Sequence, residues 1–137
     1  MANTISQKLK IQAGDTLLTV NEPSEFQKGL IGLPKGVKVV ESGKDYNQVH
    51  WFVLNRAQME NQMSKVMKLV KPGGFLVTSS CTNLVQPELF LDTIYAAAKD
   101  AKRKLRQVVF NAQSADHPII RGQDYTHYLK FLIVQVL

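Results

Sequence analysis

The run Lys71-Pro72-Gly73-Gly74-Phe75-Leu76-Val77-Thr78-Ser79-Ser80-Cys81 reads as a helix end, a tight turn, a buried strand, and a cysteine at that strand's carboxyl end. Proline cannot continue a helix, and paired glycines supply the backbone angles of an abrupt reversal. Phe75 to Thr78 is apolar and β-prone without polar alternation, the pattern of a strand covered on both faces. Ligands of open α/β sheets bind just beyond the carboxyl ends of the strands. Cys81 stands at such an end, with Ser79, Ser80, Thr82 and Asn83 around it.

Upstream of this run, the sequence predicts a helix from about Arg56 to Val70. Its apolar face is Met59, Met63, Val66, Met67 and Val70 at helical spacing, a stripe that reads as core. Further back lie strands at Thr16–Val20, Val37–Val40 and Gln48–Leu54, the last carrying His50, Trp51 and Phe52. A short helix opened by Pro23, with Phe26 and Leu30 on its apolar face, separates the first two. Downstream, Pro87 opens a helix whose stripe is Phe90, Ile94, Ala97, Ala98, Ala101 and Leu105. A strand at Gln107–Phe110, a long polar loop over Asn111–Tyr125 and a final strand at His127–Leu137 complete the chain. Repeated strand–helix–strand units pair in parallel through right-handed crossovers. The last two strands, joined only by a loop, pair antiparallel. The expectation is one α/β domain over residues 1–137 with helices on both faces. Its mostly parallel sheet has the order 2-1-3-4-6-5, with the final strand antiparallel.

The totals exclude several classes. The 137 residues, 45% hydrophobic and 20% charged, suit a soluble globular protein. No apolar run approaches the ~20 residues that span a bilayer. The first residues lack the apolar core of a secretory signal. A single cysteine cannot form an internal disulfide, and no Cys/His spacing suggests zinc, so no metal is expected and a reducing, cytoplasmic setting fits. The net charge is +6, and five of seventeen basic residues fall close together as Lys99, Lys102, Arg103, Lys104 and Arg106. Such a cluster either holds RNA phosphates or is the solvated, dipole-favoured end of a helix.

From about residue 66 onward the chain resembles the last third of a bacterial 23S ribosomal RNA cytosine-5 methyltransferase. The matching pieces are Leu69-Val70-Lys71-Pro72-Gly73-Gly74, Thr78-Ser79-Ser80-Cys81, Leu89-Phe90, Ala115-Asp116-His117-Pro118-Ile119 and Tyr128-Leu129-Lys130. The resemblance implies a Rossmann-like, class I methyltransferase fold. It also implies that Cys81 attacks the pyrimidine ring while S-adenosylmethionine supplies the methyl group. The first ~70 residues, through Thr16-Leu17-Leu18-Thr19-Val20-Asn21, Leu33-Pro34-Lys35-Gly36-Val37 and Tyr46-Asn47-Gln48-Val49-His50-Trp51-Phe52-Val53, resemble instead a small bacterial Rossmann-like family of unassigned function. Two families meeting near residues 66–75 suggest a chimera, natural or engineered.

The methyltransferase pattern is incomplete upstream. A methyl-donor site uses a glycine-rich turn after the first strand, where this chain has Asn21-Glu22-Pro23-Ser24. The family's Asp-Pro-Pro loop after the third strand is replaced by Asn55-Arg56-Ala57. Asn21 and Glu41, at the ends of the first two strands, are the candidate cofactor contacts, since an acidic residue about 20 positions on can bind ribose hydroxyls. A thiolate is needed for attack, and His50 or His117 is the candidate to activate Cys81. The expectation is a methyltransferase-like domain with no catalytic activity of its own and no cofactor. The alternatives are an S-adenosylmethionine-dependent RNA (cytosine-5) methyltransferase with Cys81 as nucleophile, and a small-ligand or partner-binding module around Asn21, Glu41 and Cys81.

Overall fold

A computed structural model describes residues 3–137. Six strands form one sheet: β1 (Thr16–Val20), β2 (Lys38–Val40), β3 (Tyr46–Val53), β4 (Val70–Ser80), β5 (Leu105–Asn111) and β6 (Lys130–Val136), in the order β2-β1-β3-β4-β6-β5. The β2-β1-β3-β4 ladders are parallel, and β6 pairs antiparallel with both β4 and β5. This is the expected topology. Strand order reverses between β1 and β3, which makes their carboxyl ends the topological switch point.

Four helices cover the sheet: α1 (Ile5–Lys8), α2 (Phe26–Gly29), α3 (Arg56–Lys68) and α4 (Pro87–Asp100). The long pair α3 and α4 buries the main core against one face. Met59, Met63, Met67, Phe90 and Ile94 have no accessible surface there, which confirms the methionine stripe as packing. The opposite face carries only the two single-turn helices and a smaller cluster of Ile11, Leu17 and Leu30, with Leu9, Phe26, Leu33, Val37 and Val39 against it. α1 was not legible in the polar first residues. It is held by a capping box in which Thr4 accepts from the Gln7 amide while the Gln7 side chain accepts from the Thr4 amide.

Asn55 starts α3, its Oδ1 accepting from the Gln58 amide at 2.9 Å. Asn55→Ala is expected to cost about 1 kcal/mol, read as a lowered urea midpoint at unchanged slope.

The Pro72-Gly73-Gly74 segment departs from the simple turn predicted for it. Tyr46 pairs with Val70 and Gln48 with Phe75, so two steps along β3 face five along β4, and the segment is a bulge inside one long strand. Its proline lacks the amide a regular ladder needs, and Gly73 has φ +83°, so the turn chemistry survives as an irregularity. Leu105, predicted on the α4 stripe, opens β5 instead, because the chain reverses at Ala101-Lys102 with φ +56° at Lys102. No helix among the described residues is long and apolar enough to cross a membrane.

Candidate functional site

A crevice of about 520 Å³ lies over the carboxyl ends of β1, β3 and β4, at the switch point. Asn21, Glu22, Pro23, Phe52, Val53, Leu54, Ser79 and Cys81 line it. Two of the predicted site residues, Asn21 and Cys81, are therefore brought together. Cys81 is a free, exposed thiol, not the buried apolar cysteine common at strand ends. Asn21 takes a left-handed conformation, φ +57°, and its amide nitrogen donates to the Phe52 carbonyl and to Gln58 Oε1, both at 3.4 Å. These bonds tie the turn after β1 to the end of β3.

Glu41 is not in the crevice. It is exposed, just beyond the end of β2, and does not line the cavity. The carboxylate on the crevice wall is Glu22. Its Oε1 accepts from Gln27 Nε2 at 2.8 Å, while Oε2 is buried without a partner. Sequence reasoning passed over Glu22 because it sits where a glycine was being sought.

Neither candidate histidine serves Cys81. His50 is on the α1–α2 face of the sheet, 2% exposed, and its Nε2–H donates to Gln48 Oε1 at 2.9 Å. Gln48 in turn donates to the Leu9 carbonyl at 3.0 Å. Phe26 lies over the imidazole with ring centroids 5.8 Å apart, and burial pushes the His50 pKa down to about 4. His117 is on an exposed loop, where its Nδ1 shares a hydrogen bond of 3.0 Å with the Tyr128 hydroxyl. There it anchors the loop.

The charged group beside Cys81 is Lys130. In the β4–β6 ladder Lys130 stands opposite Ser80, the residue before Cys81. Its side chain has no accessible surface, and its Nζ donates to the carbonyls of Thr82 and of Tyr128, the latter at 2.8 Å. Desolvation lowers the lysine's pKa, and the nearby Cys81 acts in the opposite sense. Ser80 Oγ and Thr78 Oγ1 are buried on the same face without partners. A second groove of about 410 Å³, lined in part by Phe26, His50, Val77 and Phe131, meets the crevice at Phe52 and Ser79.

The basic cluster lies elsewhere. Arg103 is partly buried and structural: its guanidinium donates to the carbonyls of Leu137 at 3.2 Å and Val70 at 3.1 Å. Val70 opens β4 and Cys81 follows its last residue, so the cluster sits at the end of the sheet away from the thiol. Lys99, Lys102, Lys104 and Arg106 are exposed there. No group of histidine, cysteine and acidic residues among the described residues could hold a metal ion.

No family model matches the chain. Among curated proteins it is similar to ribosomal RNA large subunit methyltransferase I. It is 41% identical over 70 residues to that of Shewanella frigidimarina, covering 51% of this chain and 18% of the relative. It is 38% identical over 71 residues to that of Erwinia tasmaniensis, covering 52% and 18%. The chain thus spans under a fifth of the length of these relatives. Among solved structures, SMU.776, assigned as a methyltransferase and complexed with S-adenosylhomocysteine, superposes with a TM-score of 0.63 at 12% identity, covering 90% of this chain and 46% of that one. The N-methyltransferase NodS of Bradyrhizobium japonicum, also with S-adenosylhomocysteine, gives 0.63 at 11%, covering 97% and 83%. The α/β architecture of this chain is that of the S-adenosylmethionine-dependent methyltransferases.

Proposed function

We propose that this chain is an S-adenosylmethionine-dependent RNA methyltransferase domain acting at C5 of cytosine, with Cys81 as nucleophile. The observation that carries the reading is the exposed Cys81 thiol in the switch-point crevice. The half-chain similarity to ribosomal RNA methyltransferases supports it. So does the methyltransferase fold.

The crevice residues fit an adenosyl ligand. The unpartnered Glu22 Oε2 is an acceptor for a ribose hydroxyl or the methionine ammonium, and Pro23, Phe52 and Leu54 offer apolar surface to a purine. When bound, S-adenosylmethionine supplies an electrophilic methyl group. The Cys81 thiolate adds to C6 of the pyrimidine, forming an S–C6 bond and moving the C5–C6 π electrons toward C5. Loss of the C5 proton to solvent water later returns an electron pair to the ring and expels the thiolate.

Calorimetric titration with S-adenosylmethionine and S-adenosylhomocysteine tests the donor site. Micromolar binding is expected, weakened about tenfold by Glu22→Gln and unchanged by Glu41→Ala. The absence of heat from a folded protein overturns the reading.

A second reading is favoured by one feature, the Asn21-Glu22-Pro23-Ser24 turn. Side chains stand there where a methyl-donor loop brings bare backbone to its ligand. In this reading the chain keeps the fold without chemistry of its own, and a family junction near residues 66–75 joins a methyltransferase half to an unrelated one. The similarity to the curated methyltransferases, confined to about half the chain, accords with such a junction.

A further inference from the structure

We propose that Lys130 is the positioning residue of the Cys81 site. Its ammonium, anchored on the carbonyls of Thr82 and Tyr128, fixes the turn that carries the thiol and is the counter-charge to the thiolate. The inference rests on the nucleophile assigned above.

The geometry is specific. A lysine with no accessible surface normally has a carboxylate partner; Lys130 has two backbone carbonyls. An ammonium has three donors, and the two carbonyls engage two of them, which leaves one N–H uncommitted. Thr82 follows Cys81 directly, so the bond to its carbonyl, in the Thr82–Asn83 peptide, restrains the turn just beyond the thiol. The lysine is inaccessible but lies under the loop at the rim of the sheet, within electrostatic reach of Cys81. A neighbouring cation favours a thiolate. Across the crevice the Glu22 carboxylate opposes it, while His50 and His117 are engaged elsewhere. Lys130 holds the turn beside the thiol and bears the sign that the thiol's ionised form requires.

The test is the pH dependence of Cys81 alkylation by iodoacetamide, which needs neither RNA nor methyl donor. Lys130→Met is expected to raise the alkylation midpoint by about one pH unit, cutting the rate near neutrality about tenfold, while Lys130→Arg keeps the charge and shifts it less. A packing role alone would change accessibility at every pH and leave the midpoint in place. An unmoved midpoint in folded Lys130→Met refutes the proposal. If that variant does not fold, the Lys130 Nζ titration is followed instead by carbon-13 NMR in the wild type and in Cys81→Ala. Removing the thiol is expected to lower the lysine's pKa, and an unchanged titration refutes the pairing. A shifted midpoint in a protein that binds no adenosyl ligand would sustain the pair and sink the methyltransferase reading, so the two failures are separable.

Discussion

Gly74→Ala is expected to destabilise the protein by about 3 kcal/mol, near the upper end for overpacking a well-filled site. A β-carbon at Gly74 would overlap the Asn47 carbonyl oxygen and would stand 2.9 Å from Val70 Cγ1 and 3.0 Å from the Lys71 carbonyl oxygen. Two of these three atoms are backbone and cannot turn aside as a flexible side chain can. The neighbouring Gly73 is the control. Nothing lies within 4 Å of its added β-carbon, but its φ of +83° strains any L side chain, so Gly73→Ala should cost only about 1 kcal/mol. Urea unfolding of the two variants measures the difference. Equal losses would mean that the bulge relaxes around the alanine and that conformation, not contact, reserves both positions for glycine.

The second large effect concerns acid stability and His50. Its pKa is about 4 in the folded protein and near 6.5 when the chain is unfolded. Between those values the unfolded chain takes up a proton that the folded protein does not, so stability falls as pH drops from about 6.5 to 4. Above 6.5 the imidazole is neutral in both states and contributes no slope. The accumulated loss at pH 4 is about 3 kcal/mol. Carboxylates titrate in the same range, so the clean measurement is the stability gap between wild type and His50→Gln at pH 7 and pH 4. The gap should move by about that amount in favour of the variant in acid. A constant gap would show that the imidazole is protonated without unfolding.

Much of this molecule is written in its periodicities. The β2-β1-β3-β4-β6-β5 order follows from helix-spaced stripes such as Met59, Met63 and Met67 between apolar strands, and from the helix-free link before β6. The site was harder. Cys81 and Asn21 meet because both end strands of a parallel sheet, which connectivity alone predicts. Glu41 also follows a strand, yet β2 is a short edge strand and the residue beyond it does not line the crevice. Lys130 was missed although a signal existed. In β6 it alternates in phase with Leu132, Val134 and Val136, all buried, so the strand period places it inward. A lysine at an inward position is readily taken as the strand's solvated end. Only the fold shows that the loops carrying Thr82 and Tyr128 close over it.

The place of β6 in the sheet has a consequence for how the chain must be made. β6 lies between β4 and β5, though both precede it in sequence. During synthesis from the amino end, β5 therefore emerges with no strand to pair with, and one long edge of β4 stays open. Neither ladder can form until residues 130–136 have left the ribosome. Helix α4 lacks part of its packing until then, since Leu132, Val134 and Val136 belong to the same core cluster as its Phe90 and Ile94. A nascent chain stalled before β6 presents an apolar strand edge to its surroundings, a state open to intermolecular pairing. The fold is thus closed from its interior, by the strand that arrives after both of its neighbours.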